Sequence, residues 1–190
     1  MAPRRWRTVD IVVASILGVA FGVVFWAWGL LWNGPANAVP LPGRAVIYGI
    51  WLLPAVLGGL VIRKPGAALY CEFLAAFLSA LMGSEWWTAT LQGLLQGVGA
   101  EAVFAAFAYR RFTATVAVLA GAAAGVAAAL FDAFVWYVGY AWPTFRLPFI
   151  ALTVLSAAAL AGGGGWALTR ALAQAGVLDR FPSGRERAPV

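Results

Sequence analysis

Four of the seven acidic residues of this chain lie within or at the rim of long apolar stretches: Glu72, Glu85, Glu101 and Asp132. The sequence as a whole is 63% hydrophobic. An ionised carboxylate in hydrocarbon costs several kcal/mol, so an acid inside a membrane faces a cavity or a partner and marks the path of a ligand or an ion. These positions therefore predict a membrane protein with a polar interior.

The composition restricts the chemistry that such an interior can perform. Charged residues make up 11% of the chain and its mean hydropathy is +0.86, which excludes a soluble globular domain and a disordered chain. Histidine is absent, and the single Cys71 has no partner for a disulfide or a metal site. The only lysine, Lys64, precedes Pro65, so the chain has no phosphate-binding loop of the form GxxxxGK(S/T). We expect neither an enzyme nor a bound cofactor, since Ser15, Ser79 and Ser156 also lack a basic partner in the sequence.

The apolar stretches predict an all-α integral membrane fold with six transmembrane helices in a single domain, residues 1–190. A helix needs about 20 apolar residues to cross a hydrocarbon core of ~30 Å. Charged or Pro/Gly-rich breaks separate six such segments. They cover residues 9–32, 45–62, 66–82, 88–109, 113–140 and 147–171, and a tail follows at 172–190.

The distribution of basic residues predicts the orientation of these segments. If the amino terminus is cytoplasmic, 11 of the 13 Lys and Arg residues fall on the cytoplasmic side, and only Arg44 and Arg146 fall outside. This positive-inside bias predicts that both termini are cytoplasmic. The basic residues are scattered over loops and tails instead of one face, which argues against a nucleic-acid partner. A cleavable signal peptide ending near residues 36–38 is an alternative, but the first apolar stretch is too long for one.

Small residues on the first segment predict close helix packing. Ala14, Gly18 and Gly22 recur every four residues, which lets a second helix approach along one face. The sequence leaves open whether that helix belongs to the same chain or to another subunit.

Polar and aromatic side chains are predicted to meet at one depth in the outer half of the membrane. With a rise of 1.5 Å per residue, Asp132 lies ~10 Å below the outer end of its segment, in the same layer as Gln92 and Gln96. A small polar aromatic ligand would find stacking faces and hydrogen-bonding groups there. An alternative is that the aromatic residues form only a membrane-interface belt. The candidate ligand contacts are Gln96, Asp132, Trp136, Glu85, Gln92, Trp51, Tyr48, Trp86 and Tyr137.

Glu72 and Glu101 are predicted to lie in the inner half of the membrane. One interpretation is structural, in which the two acids cap a kink or pair with the basic residues Arg63, Lys64, Arg110 or Arg111. The other interpretation places them at the floor of the pocket or in a contact that couples transport. Glu101 is therefore a further candidate for the ligand site.

Four motifs resemble the YkoE family. They are YGIW at 48–51, IRKPGAAL at 62–69 followed by Glu72, QGVGAE at 96–101 and FDAFV at 131–135. The resemblance implies a substrate-binding S component of an energy-coupling factor (ECF) ABC transporter for thiamine or its precursor hydroxymethylpyrimidine (HMP). It also implies a multi-pass protein of a prokaryotic cytoplasmic membrane.

The same resemblance implies partners and a mode of delivery. An S component works with a transmembrane T subunit and two cytoplasmic ATPases, and delivers its vitamin by tilting in the membrane. Ala14, Gly18 and Gly22 would then pack against the T subunit, and Glu72, Arg63 and Lys64 would serve architecture or coupling. An S component for another vitamin and a stand-alone carrier or channel are the alternatives.

Overall fold

The computed structural model describes residues 5–83 and 86–185, and all regular elements in these ranges are helical, as predicted. In lipid, each backbone N–H and C=O must be bonded within the protein, which favours helices for long apolar runs. A 3-10 helix, Gly43–Leu52, continues directly into α2, and a shorter one covers Pro35–Ala38. The first five α-helices are α1 (Thr8–Asn33), α2 (Leu53–Ile62), α3 (Ala67–Met82), α4 (Trp86–Ala106) and α5 (Ala114–Val135).

The last membrane segment is one continuous helical run with two π-helical parts. It consists of π-helical Trp142–Arg146, α6 (Leu147–Ser156), π-helical Ala157–Gly164 and α7 (Gly165–Gln174). Glycine allows this run to touch α5, because a Cβ at Gly162 would lie 2.6 Å from the Cα of Val118. The run exceeds the predicted segment 147–171 at both ends.

Four helical stretches within the described residues are long and apolar enough to cross a membrane: Thr8–Ala38, Gly43–Ile62, Ala114–Val135 and Trp142–Gln174. The apolar helix α3 is shorter, at 16 residues. In α4, Gln92, Gln96 and Glu101 interrupt an otherwise apolar helix of 21 residues. The count of six spans and their orientation remain predictions.

The end of the fifth segment and the start of the tail also differ from the prediction. The fifth segment was expected to reach residue 140, but α5 ends at Val135, where the amides of Trp136 and Tyr137 both donate to the carbonyl of Asp132. The expected tail begins at residue 172, yet part of it packs against the bundle. Leu178 and Phe181 are buried in a cluster with residues of α2, and α8 (Pro182–Arg185) places the Ser183 hydroxyl 3.1 Å from the Val61 carbonyl.

The small residues of α1 contact α3 of the same chain. Ala14, Gly18 and Gly22 are buried, and the thiol of Cys71 lies 3.6 Å from the carbonyl of Ala14. A Cβ at Gly18 would lie 2.8 Å from the Cβ of Leu74. The assignment of these three residues to a T-subunit interface is therefore corrected, since an internal helix already occupies their face.

A buried ion pair, which the sequence did not predict, joins α1 to the loop between α2 and α3. Asp10 is fully buried and accepts a hydrogen bond from Lys64 Nζ, which also donates to the Arg5 carbonyl at 2.7 Å. Arg7 adds a second ion pair with Asp10 at 2.9 Å. Lys64 is thus a structural residue. Arg63 ends α2 with a positive φ of 56°.

Substitution of Gly18 by Ala is expected to destabilise the α1–α3 contact. The added methyl group would lie 2.8 Å from the Cβ of Leu74. Such overpacking lowers the free energy of unfolding by about 1–3 kcal/mol. The matched control is Gly29→Ala in the same helix, because no atom lies within 4 Å of a Cβ built at that position. Thermal unfolding in detergent measures both variants. Equal midpoints for the two would contradict the packing described here.

Candidate functional site

Asp132 is the centre of a hydrogen-bond network near the carboxyl-terminal end of α5. Its Oδ2 accepts a hydrogen bond from the Tyr48 hydroxyl at 2.8 Å, and its Oδ1 accepts one from Gln92 Nε2 at 2.6 Å. Gln92 Nε2 also donates to Tyr48 Oη at 2.7 Å. The three side chains form a closed ring that joins the 3-10 helix, α4 and α5.

Helix periodicity and close packing bring these groups together. Gln92 and Gln96 are four residues apart on α4 and therefore share a face. Gly97 lets this helix approach α3, because a Cβ there would lie 2.9 Å from the Cα of Leu69. The 3-10 helix is held in place by Ser156, which accepts from the Gly49 amide at 2.9 Å and donates to the Val46 carbonyl at 2.7 Å.

A cavity of about 980 Å³ lies beside this network. Such a volume falls in the range of small-molecule sites. The structure brings seven of the predicted contacts together on its wall: Gln96, Asp132, Trp136, Gln92, Trp51, Tyr48 and Tyr137. Glu85 lies outside the described residues, and so does the side chain of Trp86.

Aromatic rings form a continuous part of the cavity wall. Trp32 lies edge-on to Trp51 and to Tyr48, with ring centroids 4.9 Å and 5.8 Å apart. The guanidinium of Arg44 lies 4.5 Å above the Trp32 ring and donates to the Trp32 carbonyl at 2.8 Å. Trp32 lines the cavity but was not among the predicted ligand contacts, because its contacts with the 3-10 helix cross a loop and have no helical spacing.

Two polar side chains leave hydrogen-bonding capacity facing the cavity. Gln96 is 4% exposed and lines the cavity, and its side-chain carboxamide has no hydrogen-bond partner among the described residues. Tyr137, which follows the end of α5, is also in the wall. A tyrosine hydroxyl keeps its proton at neutral pH, so Tyr137 can donate a hydrogen bond. The cavity therefore offers a carboxamide and a phenolic donor to a ligand.

The two deeper acids bind backbone amides instead of basic side chains. Glu101 accepts hydrogen bonds at the start of α3 from the amides of Gly66 at 2.6 Å and Ala68 at 3.0 Å. It also accepts one from the Tyr109 hydroxyl at 2.7 Å. Glu101 is not among the residues that line the cavity. Of the two structural alternatives, pairing with Arg63, Lys64, Arg110 or Arg111 is not seen among the described residues, and Glu101 instead caps the free amides at a helix start.

Glu72 has the equivalent role at the start of α2. It is fully buried, and its Oε2 accepts a hydrogen bond from the Ala55 amide at 2.9 Å. This amide follows Pro54, which has no N–H, at the junction where the 3-10 helix becomes α2. The Oε1 atom of Glu72 is buried with no hydrogen-bond partner among the described residues. Glu72 has no basic partner among the described residues and instead caps this junction, which supports the segment that carries Tyr48 and Trp51.

The helical arrangement is that of an S component of an ECF transporter. The crystal structure of an S component of an ECF transporter matches with a TM-score of 0.90 and 35% sequence identity, covering 96% of this chain and 93% of the other. The chain belongs to the YkoE family, because it is 35% identical over 185 residues to YkoE of Bacillus subtilis (strain 168), which is named as an HMP/thiamine permease protein. That alignment covers 96% of this chain and 92% of the relative.

A family model gives a related result. Residues 9–127 match the family described as "ABC-type cobalt transport system, permease component". These relatives are transport proteins and not enzymes, so the expected absence of enzymatic activity and the expected membrane-transport class are confirmed. Within residues 5–83 and 86–185, no three His, Cys, Asp or Glu side chains are grouped so as to hold a metal ion.

Replacement of Glu72 tests its role at the helix junction. Glu72→Leu removes the acceptor of the Ala55 amide and is expected to cost about 1–3 kcal/mol, the penalty of an unsatisfied buried donor. Glu72→Gln keeps a carbonyl oxygen of similar reach and is expected to retain near-native stability. Unfolding of both variants in detergent measures the difference. If both variants lose the same stability, the acceptor role is wrong.

Proposed function

We propose that the chain captures thiamine or HMP in the cavity beside Asp132, as the S component of an ECF uptake transporter. The name of the B. subtilis relative supports this class of substrate, and the size of the cavity fits a small vitamin. If the substrate were another vitamin, we would expect hydrogen-bonding groups in the cavity that do not match an aminopyrimidine. Coupling to a T subunit and two ATPases is part of the same proposal.

The observation that carries the proposal is the set of polar groups inside an aromatic wall. An aminopyrimidine edge presents a ring nitrogen acceptor beside an amino donor, and a carboxamide such as that of Gln96 presents the complementary donor and acceptor. Trp51 and Trp136 supply faces on which a flat ring can stack. Asp132 supplies the carboxylate that a cationic thiazolium would require.

The proposed membrane arrangement follows from the charge distribution and the exposed surface. The positive-inside bias favours six spans with both termini cytoplasmic, in the cytoplasmic membrane of a prokaryote. Several large apolar side chains of α1 face outward, including Ile16, Val19 and Val23. A T subunit that contacts α1 would meet this outward face, because α3 covers the face of small residues.

Binding of thiamine and HMP to the purified chain tests the proposal. Both ligands are expected to quench the tryptophan fluorescence saturably, because Trp51 and Trp136 line the cavity. In Asp132→Asn, the affinity for cationic thiamine is expected to fall about tenfold or more, since the site loses its buried carboxylate, whereas the affinity for neutral HMP changes less.

Ser15→Ala is the matched control for this experiment. Ser15 makes a polar contact with Tyr70 at 2.8 Å between α1 and α3 and does not line the cavity. The variant is expected to bind both ligands like the native chain. The absence of a saturable response to either ligand in the native chain would refute the substrate. A thiamine response that is identical in native protein and Asp132→Asn would refute the site.

A further inference from the structure

Arg146 is a buried arginine for which the described part of the chain supplies no acceptor. It ends the π-helical turn Trp142–Arg146 and is only 7% exposed. Its Nε is buried without a hydrogen-bond partner, and neither terminal nitrogen donates to an acceptor within residues 5–83 and 86–185. Its guanidinium lies 4.8 Å from the centre of the Trp142 ring, so the side chain points back towards the beginning of the helical run.

An anion bound to Arg146 would stabilise its unpaired positive charge. A guanidinium stays protonated at any physiological pH, and a buried charge is costly unless it is paired and hydrogen-bonded. The Trp142 ring offers a cation–π contact but accepts no conventional hydrogen bond. Five N–H donors in a planar fork match the oxygens of a phosphate group particularly well.

Two other arginines over tryptophan rings show that Arg146 is distinct. Arg44 lies over Trp32, but it donates to the Trp32 carbonyl and to Asn37. Arg170 lies 5.0 Å from the Trp166 ring, with the same spacing of four residues as Arg146 and Trp142, but its side chain is exposed to the surroundings. Of these three arginines, Arg146 alone is both buried and without an acceptor among the described residues.

Arg146 lies beside an exposed apolar surface, which favours a lipid as the source of the anion. The large apolar side chains of Trp142 and of Leu147, the next residue in the chain, are exposed. So is that of Phe134, whose ring packs edge-on against Trp142 at 5.7 Å. In a membrane protein such a surface contacts lipid. We propose that Arg146 anchors the phosphate group of a membrane phospholipid at the end of the bundle where α5 leads into α6, with the acyl chains on this apolar surface.

Lipid retention by the purified chain tests the proposal. Native mass spectrometry in detergent would compare phosphatidylglycerol, diacylglycerol with the same acyl chains, and inorganic phosphate. The native chain is expected to bind phosphatidylglycerol at least about tenfold more tightly than diacylglycerol, because only the former offers charge-assisted hydrogen bonds to the guanidinium. Arg146→Gln and Arg146→Met are expected to lose this preference.

Arg170→Gln is the matched control, since it removes an arginine with the same tryptophan spacing from an exposed position. It is expected to retain the preference for phosphatidylglycerol. Thermal unfolding identifies any variant that does not fold. If Arg146→Gln or Arg146→Met fails to fold, Arg146→Lys replaces it, and we expect a weaker but measurable preference for phosphatidylglycerol over diacylglycerol. Equal retention of both lipids by the native chain would overturn the proposal. Binding of inorganic phosphate through Arg146 without binding of phosphatidylglycerol would overturn the lipid as the source.

Discussion

The hydrogen bond from the Ala55 amide to Glu72 supports the part of the structure on which the cavity depends. In hydrocarbon, a backbone amide has no water to bond, so a change of helix geometry within a membrane segment requires an acceptor from the protein. Glu72 supplies that acceptor where the 3-10 helix Gly43–Leu52 becomes α2. The 3-10 helix in turn holds Tyr48 and Trp51 at the cavity wall.

The buried acids thus divide by the kind of donor that each one binds. Glu72 and Glu101 accept hydrogen bonds from amides near helix starts, and these bonds join neighbouring helices of the bundle. Asp132 accepts from two side chains, Tyr48 and Gln92, on separate segments, and it lies in the cavity wall. A ligand can replace or extend side-chain hydrogen bonds without unfolding a helix. Asp132 is therefore suited to ligand capture, whereas the two glutamates are suited to architecture.

The all-α membrane fold and most of the polar layer could be predicted from the sequence, because both follow from hydropathy and helical spacing. Gln92 and Gln96 share a face at any tertiary arrangement of α4. Contacts that depend on which helices are neighbours could not be predicted in the same way. The face of Gly18 fits an internal helix or a separate subunit equally well, and only the position of α3 decides between them. The amide partners of Glu72 and Glu101 and the Asp10–Lys64 pair were missed for the same reason.

A structure of the chain with HMP bound would show whether the cavity beside Asp132 holds the vitamin. We expect the pyrimidine ring within the cavity, with its edge at hydrogen-bond distance from the Gln96 carboxamide and one face against a tryptophan of the wall. A pyrimidine bound outside this cavity, or bound inside it without contact to Gln96, Gln92 or Asp132, would rule out ligand capture at this site.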